Sequence, residues 1–357
     1  MKHPNLFQSY TFNNGVTVSN RLAVAPMTHL ASDDNGHITA EERQFLTDRF
    51  RGIGLFISAA TLVHEGGKAF YGQPEAIGAE DLPSLREVAR IAQAQGAKAI
   101  LQIHHGGKFA PKELSAAEIE QLIAAYANAA TLAVQAGFDG VEIHGANTYL
   151  LQQFVSAQTN RRTDEWGGSL QNRLRFPLAV VDAVAAAVKA HAKPDFILGY
   201  RFSPEESGET GITMADTFVL IDELVQKPLQ YLHVSLWDFY KHARRGADTN
   251  RTRMELLHDR IAGRLPLIGV GNLYTGSDIA KAFDTGWAEF IALGKTVMIN
   301  PDLADLVRDN RDADIQTALD PDRADHYRLP DALWQRCLTN SPWLPPVKGM
   351  EHRIVDI

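Results

Sequence analysis

The sequence predicts a (β/α)8 TIM barrel, because eight short apolar segments alternate with longer segments of helical periodicity along 357 residues. Most of the eight segments are apolar on both faces, which is typical of strands buried between a barrel interior and an outer layer of helices. An open doubly wound sheet usually has fewer strands and needs a switch point in strand order, for which we find no candidate. The fold class is therefore predicted to be α/β, with a closed barrel.

The predicted strands are residues 21–25, 53–59, 97–103, 138–143, 195–202, 230–235, 265–270 and 287–293. Helical patterns lie between them. Residues 115–136 begin with the capping-box sequence SAAE ahead of an alanine-rich amphipathic stretch, and residues 172–189 form a second clear helix pattern.

The two ends of the chain are predicted to be additions to the barrel. Residues 10–19 alternate around Asn13, Asn14 and Gly15, which indicates a β-hairpin that covers the bottom of the barrel. Residues 308–357 are polar and then proline-rich, which favours an irregular tail on the barrel surface. The predicted organisation is one domain over 1–357, with a hairpin at 1–20, the barrel at 21–307 and the tail at 308–357.

Composition restricts the partners and the location. A net charge of -8 without a run of Lys or Arg argues against nucleic acid or an anionic membrane as a partner. Cys337 is the only cysteine, which excludes an intrachain disulfide, a zinc site built from several thiolates and an iron–sulfur cluster. The N-terminus lacks the apolar core of a signal peptide and no later segment is long and apolar enough to span a bilayer, so a cytoplasmic protein is expected.

Polar residues follow or end nearly every predicted strand, where barrel enzymes place their chemistry. An unpaired Gln102 or Arg201 inside its apolar strand would cost several kcal/mol, so each must have a partner. Structural alternatives exist: Gln102 could cap backbone groups, and Arg201 could pair with Glu205 or Glu206. The polar residues at the strand ends are Thr28, His29, Thr61, Gln102, His104, His105, His144, Asn147, Tyr149, Arg201, His233, Ser235, Trp237, Asn272 and Lys295.

Glycines after strands seven and eight predict a phosphate site, since bare backbone N–H groups ahead of a helix bind phosphate. Gly271 and Gly294 occupy these positions, and Lys295 would add a positive charge.

Three alternative chemistries are less favoured. A dinucleotide fingerprint at 269–271 would need a third glycine where Tyr274 stands. A histidine metal site would need carboxylates and a His-x-His pair, and the end of strand one has neither. Schiff-base chemistry would need a lysine inside the barrel, and the only lysine in a predicted strand core is Lys98, near the start of its strand.

Four motifs together resemble the Old Yellow Enzyme family of FMN-dependent ene-reductases. They are APMT at 25–28, QIHHGG at 102–107, HGANTYLL at 144–151 and NRRTDEWGGSLQNR at 160–173. The resemblance covers about residues 20–302. It implies FMN bound without a covalent link at the barrel mouth, NADH or NADPH as reductant, and an activated alkene as substrate, with quinones and nitro compounds as further candidates.

The resemblance also implies roles for individual residues. His144 and Asn147 would donate hydrogen bonds to the substrate carbonyl oxygen, and Tyr149 would protonate the α-carbon. Arg162, Asp164 and the Gly167–Gly168 turn would brace the loop after strand four. The residues implied to bind FMN are Ala25, Pro26, Met27, Thr28, Ala60, Gln102, Arg201, Gly271, Asn272, Gly294 and Lys295, with Arg201 beside flavin N1 and O2.

Two other functions fit the same residues. The chain could be an FMN-dependent NADH oxidase or a dehydrogenase of another small substrate, or a flavin-binding protein without turnover. The roles of His104 and His105 are open, and so is the oligomeric state, a homo-oligomer being one option. Candidate residues for the substrate walls are His29, Phe70, Trp237 and Tyr240, each also explicable as packing.

Overall fold

A computed structural model describes residues 3–107 and 111–350 and contains the predicted (β/α)8 TIM barrel. Eight parallel strands form the barrel, and pairing between the second and third of them closes the sheet. Each predicted strand overlaps an observed one. The barrel strands are β3 (Leu22–Val24), β4 (Leu55–Ile57), β6 (Lys98–His104), β7 (Gly140–Gly145), β8 (Ile197–Phe202), β9 (Tyr231–Val234), β10 (Leu267–Gly269) and β11 (Phe290–Leu293). A short additional strand, β5 (Thr61–Leu62), extends the second barrel strand and pairs with β6.

Helices connect successive strands and cover the outside of the barrel. Among the described residues, no helix is both long and apolar enough to cross a membrane. The helices are α1 (Ala40–Leu46), α2 (Leu82–Ala94), α3 (Ala116–Ala136), α4 (Leu150–Val155), α5 (Leu170–His191), α6 (Met214–Leu224), α7 (Arg253–Ile261), α8 (Gly276–Asp284), α9 (Lys295–Ile299), α10 (Leu303–Arg308), α11 (Ala324–Tyr327) and α12 (Asp331–Leu338).

The predicted capping box at the start of α3 is confirmed. Ser115 Oγ accepts from the Glu118 backbone N–H at 3.2 Å, and the Glu118 carboxylate accepts from the Ser115 N–H at 2.7 Å. The helix ends at Gly137, whose φ of +86° is the left-handed C-terminal conformation that glycine adopts without strain.

The predicted N-terminal hairpin closes the bottom of the barrel. Its strands are β1 (Tyr10–Thr11) and β2 (Thr17–Val18), which pair antiparallel. Phe12, Val16 and Val18 are buried against apolar side chains from the lower interior of the barrel. The Asn13 and Asn14 side-chain amides donate to the carbonyls of Leu229 and Phe196, at 2.9 and 3.0 Å, and fix the turn to strands that enter the barrel.

The C-terminal tail is mostly irregular but contains α11 and α12, which were not predicted. A buried arginine, Arg49, joins it to the barrel by donating to the Tyr327 carbonyl and to the carbonyls of Val297 and Met298. Burial lowers the pKa of Arg49 to about 9. Residues 1–2 of the predicted hairpin region and 351–357 of the tail lie outside the described residues, and the assignment of 1–357 to one domain stays a prediction.

The strand register places polar side chains in layers inside the barrel, since directly paired residues of parallel strands point the same way. Gln102 pairs with Glu142, Glu142 with Gly199 and Gly199 with Tyr231, which defines one layer. Two residues farther along the strands, the layer nearer the mouth contains His144, Arg201 and His233. The barrel therefore presents a polar interior toward its carboxyl end.

Gly199 is needed at its position because the Tyr231 ring occupies the space of a side chain. A Cβ on Gly199 would lie 2.1 Å from Tyr231 Cζ. We expect Gly199→Ala to lower the free energy of unfolding by roughly 2 kcal/mol through overpacking, measured by denaturant titration of the flavin-free protein. Gly294→Ala is the control, because its Cβ would find its nearest neighbour at 3.6 Å. Equal losses in the two variants would contradict this account of the interior.

Candidate active site

A cleft of about 1030 Å³ opens at the carboxyl ends of the barrel strands. All fourteen residues predicted for catalysis or FMN binding line it, although they come from seven separate parts of the chain. They are Ala25, Pro26, Met27, Thr28, Ala60, Gln102, His144, Asn147, Tyr149, Arg201, Gly271, Asn272, Gly294 and Lys295. The structure thus brings the predicted residues together, and their individual roles stay predictions.

A buried carboxylate, Glu142, organises the floor of the cleft. Gln102 Nε2 donates to its Oε1 at 2.7 Å, while the Tyr231 hydroxyl and His233 Nδ1 lie 3.0 and 2.9 Å from its Oε2. Burial raises the pKa of Glu142, but His233, Arg201 and Gln102 together outweigh that effect and lower it. The carboxylate is therefore ionised inside the barrel.

Arg201 is connected to the loop after β7 through Ser235. Arg201 Nη2 donates to Ser235 Oγ at 3.1 Å, and Ser235 Oγ donates in turn to Asn147 Oδ1 at 2.7 Å. Because the oxygen of the Asn147 amide is engaged, its NH2 group is the part left to donate into the cleft. Burial lowers the pKa of Arg201 while Glu142 raises it, and the guanidinium remains charged.

His144 is held as a neutral hydrogen-bond donor. Its Nδ1 accepts from the Ala146 backbone N–H at 3.3 Å, so the ring proton resides on Nε2. Burial, together with the neighbouring His104 and Arg201, holds its pKa well below the usual range. The imidazole therefore carries no charge at neutral pH.

Tyr149 packs edge-to-face against two histidines at the cleft wall. Its ring centroid lies 4.4 Å from that of His104 and 5.4 Å from that of His144. Gln73 Nε2 lies 2.9 Å from Nδ1 of the fully buried His104 and donates to it, because Gln73 Oε1 accepts from the Ala69 N–H. Burial lowers the pKa of His104 to about 3 and raises that of Tyr149. His104 is thus a neutral support for Tyr149.

The backbone between His144 and Tyr149 adopts a strained conformation. Asn147 and Thr148 have φ values of +57° and +65°, in the left-handed region that a β-branched residue rarely occupies. The Gln152 side chain accepts from the Thr148 N–H and Gln153 donates to the Thr148 carbonyl, at 3.0 and 2.8 Å. These contacts hold the turn that directs Asn147 and Tyr149 into the cleft.

The predicted phosphate end of the cleft contains Lys295 at the start of α9. Its Nζ donates to the Pro342 carbonyl at 2.9 Å and lies 5.4 Å from the centre of the Trp237 ring. Asn272, in the loop after β10, has its Oδ1 3.5 Å from the same Nζ. Burial lowers the pKa of Lys295 to about 8. The cation is held by the tail and is available to the cleft.

Several residues lie elsewhere than the sequence suggested. Phe70 and Trp237 line the cleft, but His29 and Tyr240 do not. His29 Nδ1 accepts from the Ala31 N–H, and its Nε2 lies 3.2 Å from the buried Glu42 carboxylate, so it is a packed structural histidine. His105 does not line the cleft either, and its Nδ1 accepts from the Gly107 N–H in the loop after β6.

The structural alternatives considered for Gln102 and Arg201 are wrong. The Gln102 side-chain amide donates to Glu142 rather than to the backbone. Glu205 instead binds Arg253, with Nε and Oε2 2.6 Å apart, and Glu206 accepts from Gln152 and Ser156.

The loop after β7 is braced as predicted. The Arg162 guanidinium forms an ion pair with Asp164 and donates to the carbonyls of Pro111 and Leu114. Gly167 is required there, since a Cβ would lie 2.4 Å from Arg162 Cβ.

Sequence reasoning missed several residues that contribute to the site. Glu142 was passed over, although a charged residue in the middle of an apolar strand was a signal. Ser235 was noted at a strand end but not assigned to the site. Arg336, Pro342 and Trp343 of the tail line the cleft, which nothing in their local sequence indicates.

Together, the barrel and the convergent polar cleft at its carboxyl end define a barrel enzyme with a site for a cofactor. The chain belongs to the NADH:flavin oxidoreductase / NADH oxidase family, whose family model matches residues 5–113 and 108–314. The predicted relationship to the Old Yellow Enzyme family is confirmed. The protein is therefore an FMN-dependent oxidoreductase that uses a nicotinamide as reductant.

Individual relatives agree with this assignment. A probable NADH-dependent flavin oxidoreductase, YqiG, of Bacillus subtilis (strain 168) is 42% identical, over 96% of this chain and 98% of its own length. The NADH:fumarate oxidoreductase of Klebsiella pneumoniae (strain 342) is 34% identical over 94% of this chain but only 39% of its own length. The structure of morphinone reductase superposes with a TM-score of 0.73 at 26% identity, over 86% of this chain and 90% of that one.

The donors and acceptors in the cleft fit FMN. A buried arginine and an amide suit the polar edge of the flavin ring, and Lys295 with the loops at Gly271 and Gly294 suits a phosphate. Arg201 makes a single side-chain hydrogen bond among the described residues although its guanidinium has five N–H groups. It can therefore donate further to a ligand.

The pH dependence of FMN binding tests the predicted phosphate contact of Lys295. In the free protein its pKa is about 8, and a bound phosphate dianion would raise it, so binding above that pH takes up a proton. We expect the Kd for FMN to increase above about pH 8, approaching tenfold per pH unit, in titrations of the flavin-free protein. Lys295→Arg should remove this dependence because arginine stays protonated. A pH-independent Kd in the original protein would refute the contact.

Proposed function

We propose that this protein reduces activated C=C bonds of α,β-unsaturated carbonyl compounds. The proposal rests mainly on one observation: His144, Asn147 and Tyr149 enter the same cleft as the predicted FMN-binding residues. The similarity to a probable flavin mononucleotide-dependent alkene reductase of Leishmania infantum, 31% identical over 81% of this chain, supports it.

His144 and Asn147 bind the substrate carbonyl oxygen in this proposal. Both side chains have their acceptor atoms engaged, by the Ala146 N–H and by Ser235, so each turns an N–H donor toward the cleft. Donors fixed before substrate arrives stabilise the negative charge that develops on the carbonyl oxygen without reorganising. The neutral state of His144 means that it polarises the carbonyl without transferring its proton.

Tyr149 supplies the proton to the α-carbon. Burial raises its pKa, so the phenol keeps its proton at neutral pH until a strongly basic carbon develops in the substrate. The rings of His104 and His144 fix its position beside the carbonyl-binding pair. Tyr149 then recovers a proton from water, because its side chain is only partly buried and lines the open cleft.

The remaining predicted residues bind the cofactor. When bound, FMN accepts two electrons from the nicotinamide and supplies the hydride that adds to the β-carbon. Arg201 and Gln102 would contact its pyrimidine edge, residues 25–28 and Ala60 would lie along the ring, and Gly271, Asn272, Gly294 and Lys295 would bind the phosphate. The fixed charge of Arg201 favours the reduced, more negative form.

A second function is favoured by another relative. The NADH oxidase of Thermoanaerobacter brockii is 29% identical over 88% of this chain and 52% of its own length. Under this alternative the protein oxidises NADH and passes the electrons to another acceptor, as an NADH oxidase or dehydrogenase does, and Tyr149 has no part in the reaction.

Replacing Tyr149 by Phe separates the two functions. We expect Tyr149→Phe to leave reduction by NADH within about twofold and to slow re-oxidation by 2-cyclohexenone by about 10²- to 10⁴-fold, the range of general-acid catalysis. Anaerobic stopped-flow spectroscopy measures both half-reactions. Tyr240→Phe, the same change outside the cleft, is the control. An equal slowing of both half-reactions by Tyr149→Phe would show that its hydroxyl is not the proton donor.

A further inference from the structure

We propose that Glu142 is a positioning residue that makes Gln102 present a hydrogen-bond acceptor to FMN and that balances the charge of Arg201. The inference rests on the proposed contacts of Gln102 and Arg201 with the flavin ring. It concerns cofactor binding and reduction potential, and it does not depend on which substrate re-oxidises the protein.

Glu142 is the best-connected polar group in the barrel interior. Its side chain is 0% exposed, and its two oxygens accept from Gln102, Tyr231 and His233. A carboxylate in such a place costs several kcal/mol of desolvation unless its partners are well arranged, and an apolar side chain would fill the same space at lower cost. Its presence calls for a role beyond packing.

The first consequence concerns the orientation of the Gln102 amide. An ionised carboxylate can only accept hydrogen bonds, so the Gln102 NH2 group must face Glu142 and the Gln102 oxygen must face away from it. That oxygen has no hydrogen-bond partner among the described residues, and Gln102 lines the cleft. The cleft therefore meets an acceptor at this point. The flavin pyrimidine edge carries one N–H donor, N3–H, which an acceptor can bind.

The second consequence is electrostatic. Glu142 and Arg201 lie on the paired strands β7 and β8, one layer apart inside the barrel. Each shifts the pKa of the other toward its charged form. The negative charge below the cleft offsets part of the positive charge that Arg201 offers to the reduced cofactor. Removing it leaves Arg201 unopposed, which favours the reduced form and shifts the midpoint potential to more positive values.

Glu142→Gln tests both consequences with little change in volume. The new amide must offer its oxygen to Tyr231 and His233, which are donors, so its NH2 group faces Gln102 and makes that amide turn round. Gln102 then presents a donor to N3–H. We expect the Kd for FMN to increase about 10- to 100-fold and the midpoint potential of bound FMN to become more positive.

Two further variants separate positioning from a merely structural role. Tyr231→Phe removes one hydrogen bond to Glu142 but keeps the carboxylate and its contact with Gln102, so it should lower thermal stability while leaving the midpoint potential unchanged. The exchange variant E142Q/Q102E places the carboxylate at position 102, where one oxygen accepts from the new amide and the other faces the cleft. It should regain most of the affinity and reverse the shift in potential.

The outcomes distinguish this proposal from the proposed function. If Glu142→Gln has the same Kd for FMN and the same midpoint potential as the original protein, the positioning role is overturned, while the proposal of alkene reduction is unaffected. If Glu142→Gln does not fold, the exchange variant decides, because a folded exchange variant that fails to bind FMN would also overturn the role. If Tyr231→Phe shifts the midpoint potential of bound FMN to more positive values by as much as Glu142→Gln does, the shift comes from general loosening of the interior.

Discussion

Parallel pairing around a closed barrel is the constraint on which this site depends. Once the register of β6, β7, β8 and β9 is fixed, Gln102, Glu142 and Tyr231 must share one layer and His144, Arg201 and His233 the next. Residues far apart in sequence therefore meet without any loop having to bring them together. The loop after β7 adds Asn147 and Tyr149 to an arrangement that the strands already define.

Burial determines which side chains of this arrangement carry a charge. Because they are buried, His104 and His144 stay neutral, while Glu142 and Arg201 form a pair of opposite charges beneath the cleft. The direction of each hydrogen bond in the cleft floor then follows from whether the neighbouring group donates or accepts. Glu142 directs Gln102, the Ala146 N–H directs His144, and Ser235 directs Asn147. Each of these neighbours fixes which atom its partner turns toward the cleft.

Much of this could be predicted from the sequence, for identifiable reasons. Apolar segments and capping signals are local, so the eight strands, the hairpin and the start of α3 were found. Functional motifs at strand ends are also local in sequence, and the fourteen residues predicted from them for catalysis or FMN binding all line the cleft. Partners across strands depend on register, which no local pattern reveals, so the contact of Gln102 with Glu142 was missed. The approach of Pro342 to Lys295 depends on how the tail folds back, and the direction of His29 depends on the buried Glu42.

We propose that this cleft, holding FMN, transfers electrons from a nicotinamide to an activated alkene. The most direct measurement is an anaerobic titration of the FMN-loaded protein with NADH, followed by rapid mixing with 2-cyclohexenone while the visible flavin absorbance is recorded. We expect loss of the oxidised flavin absorbance with NADH and its prompt return with the alkene. Flavin that is reduced by NADH but stays reduced with the alkene, and is re-oxidised only when oxygen is admitted, would contradict it.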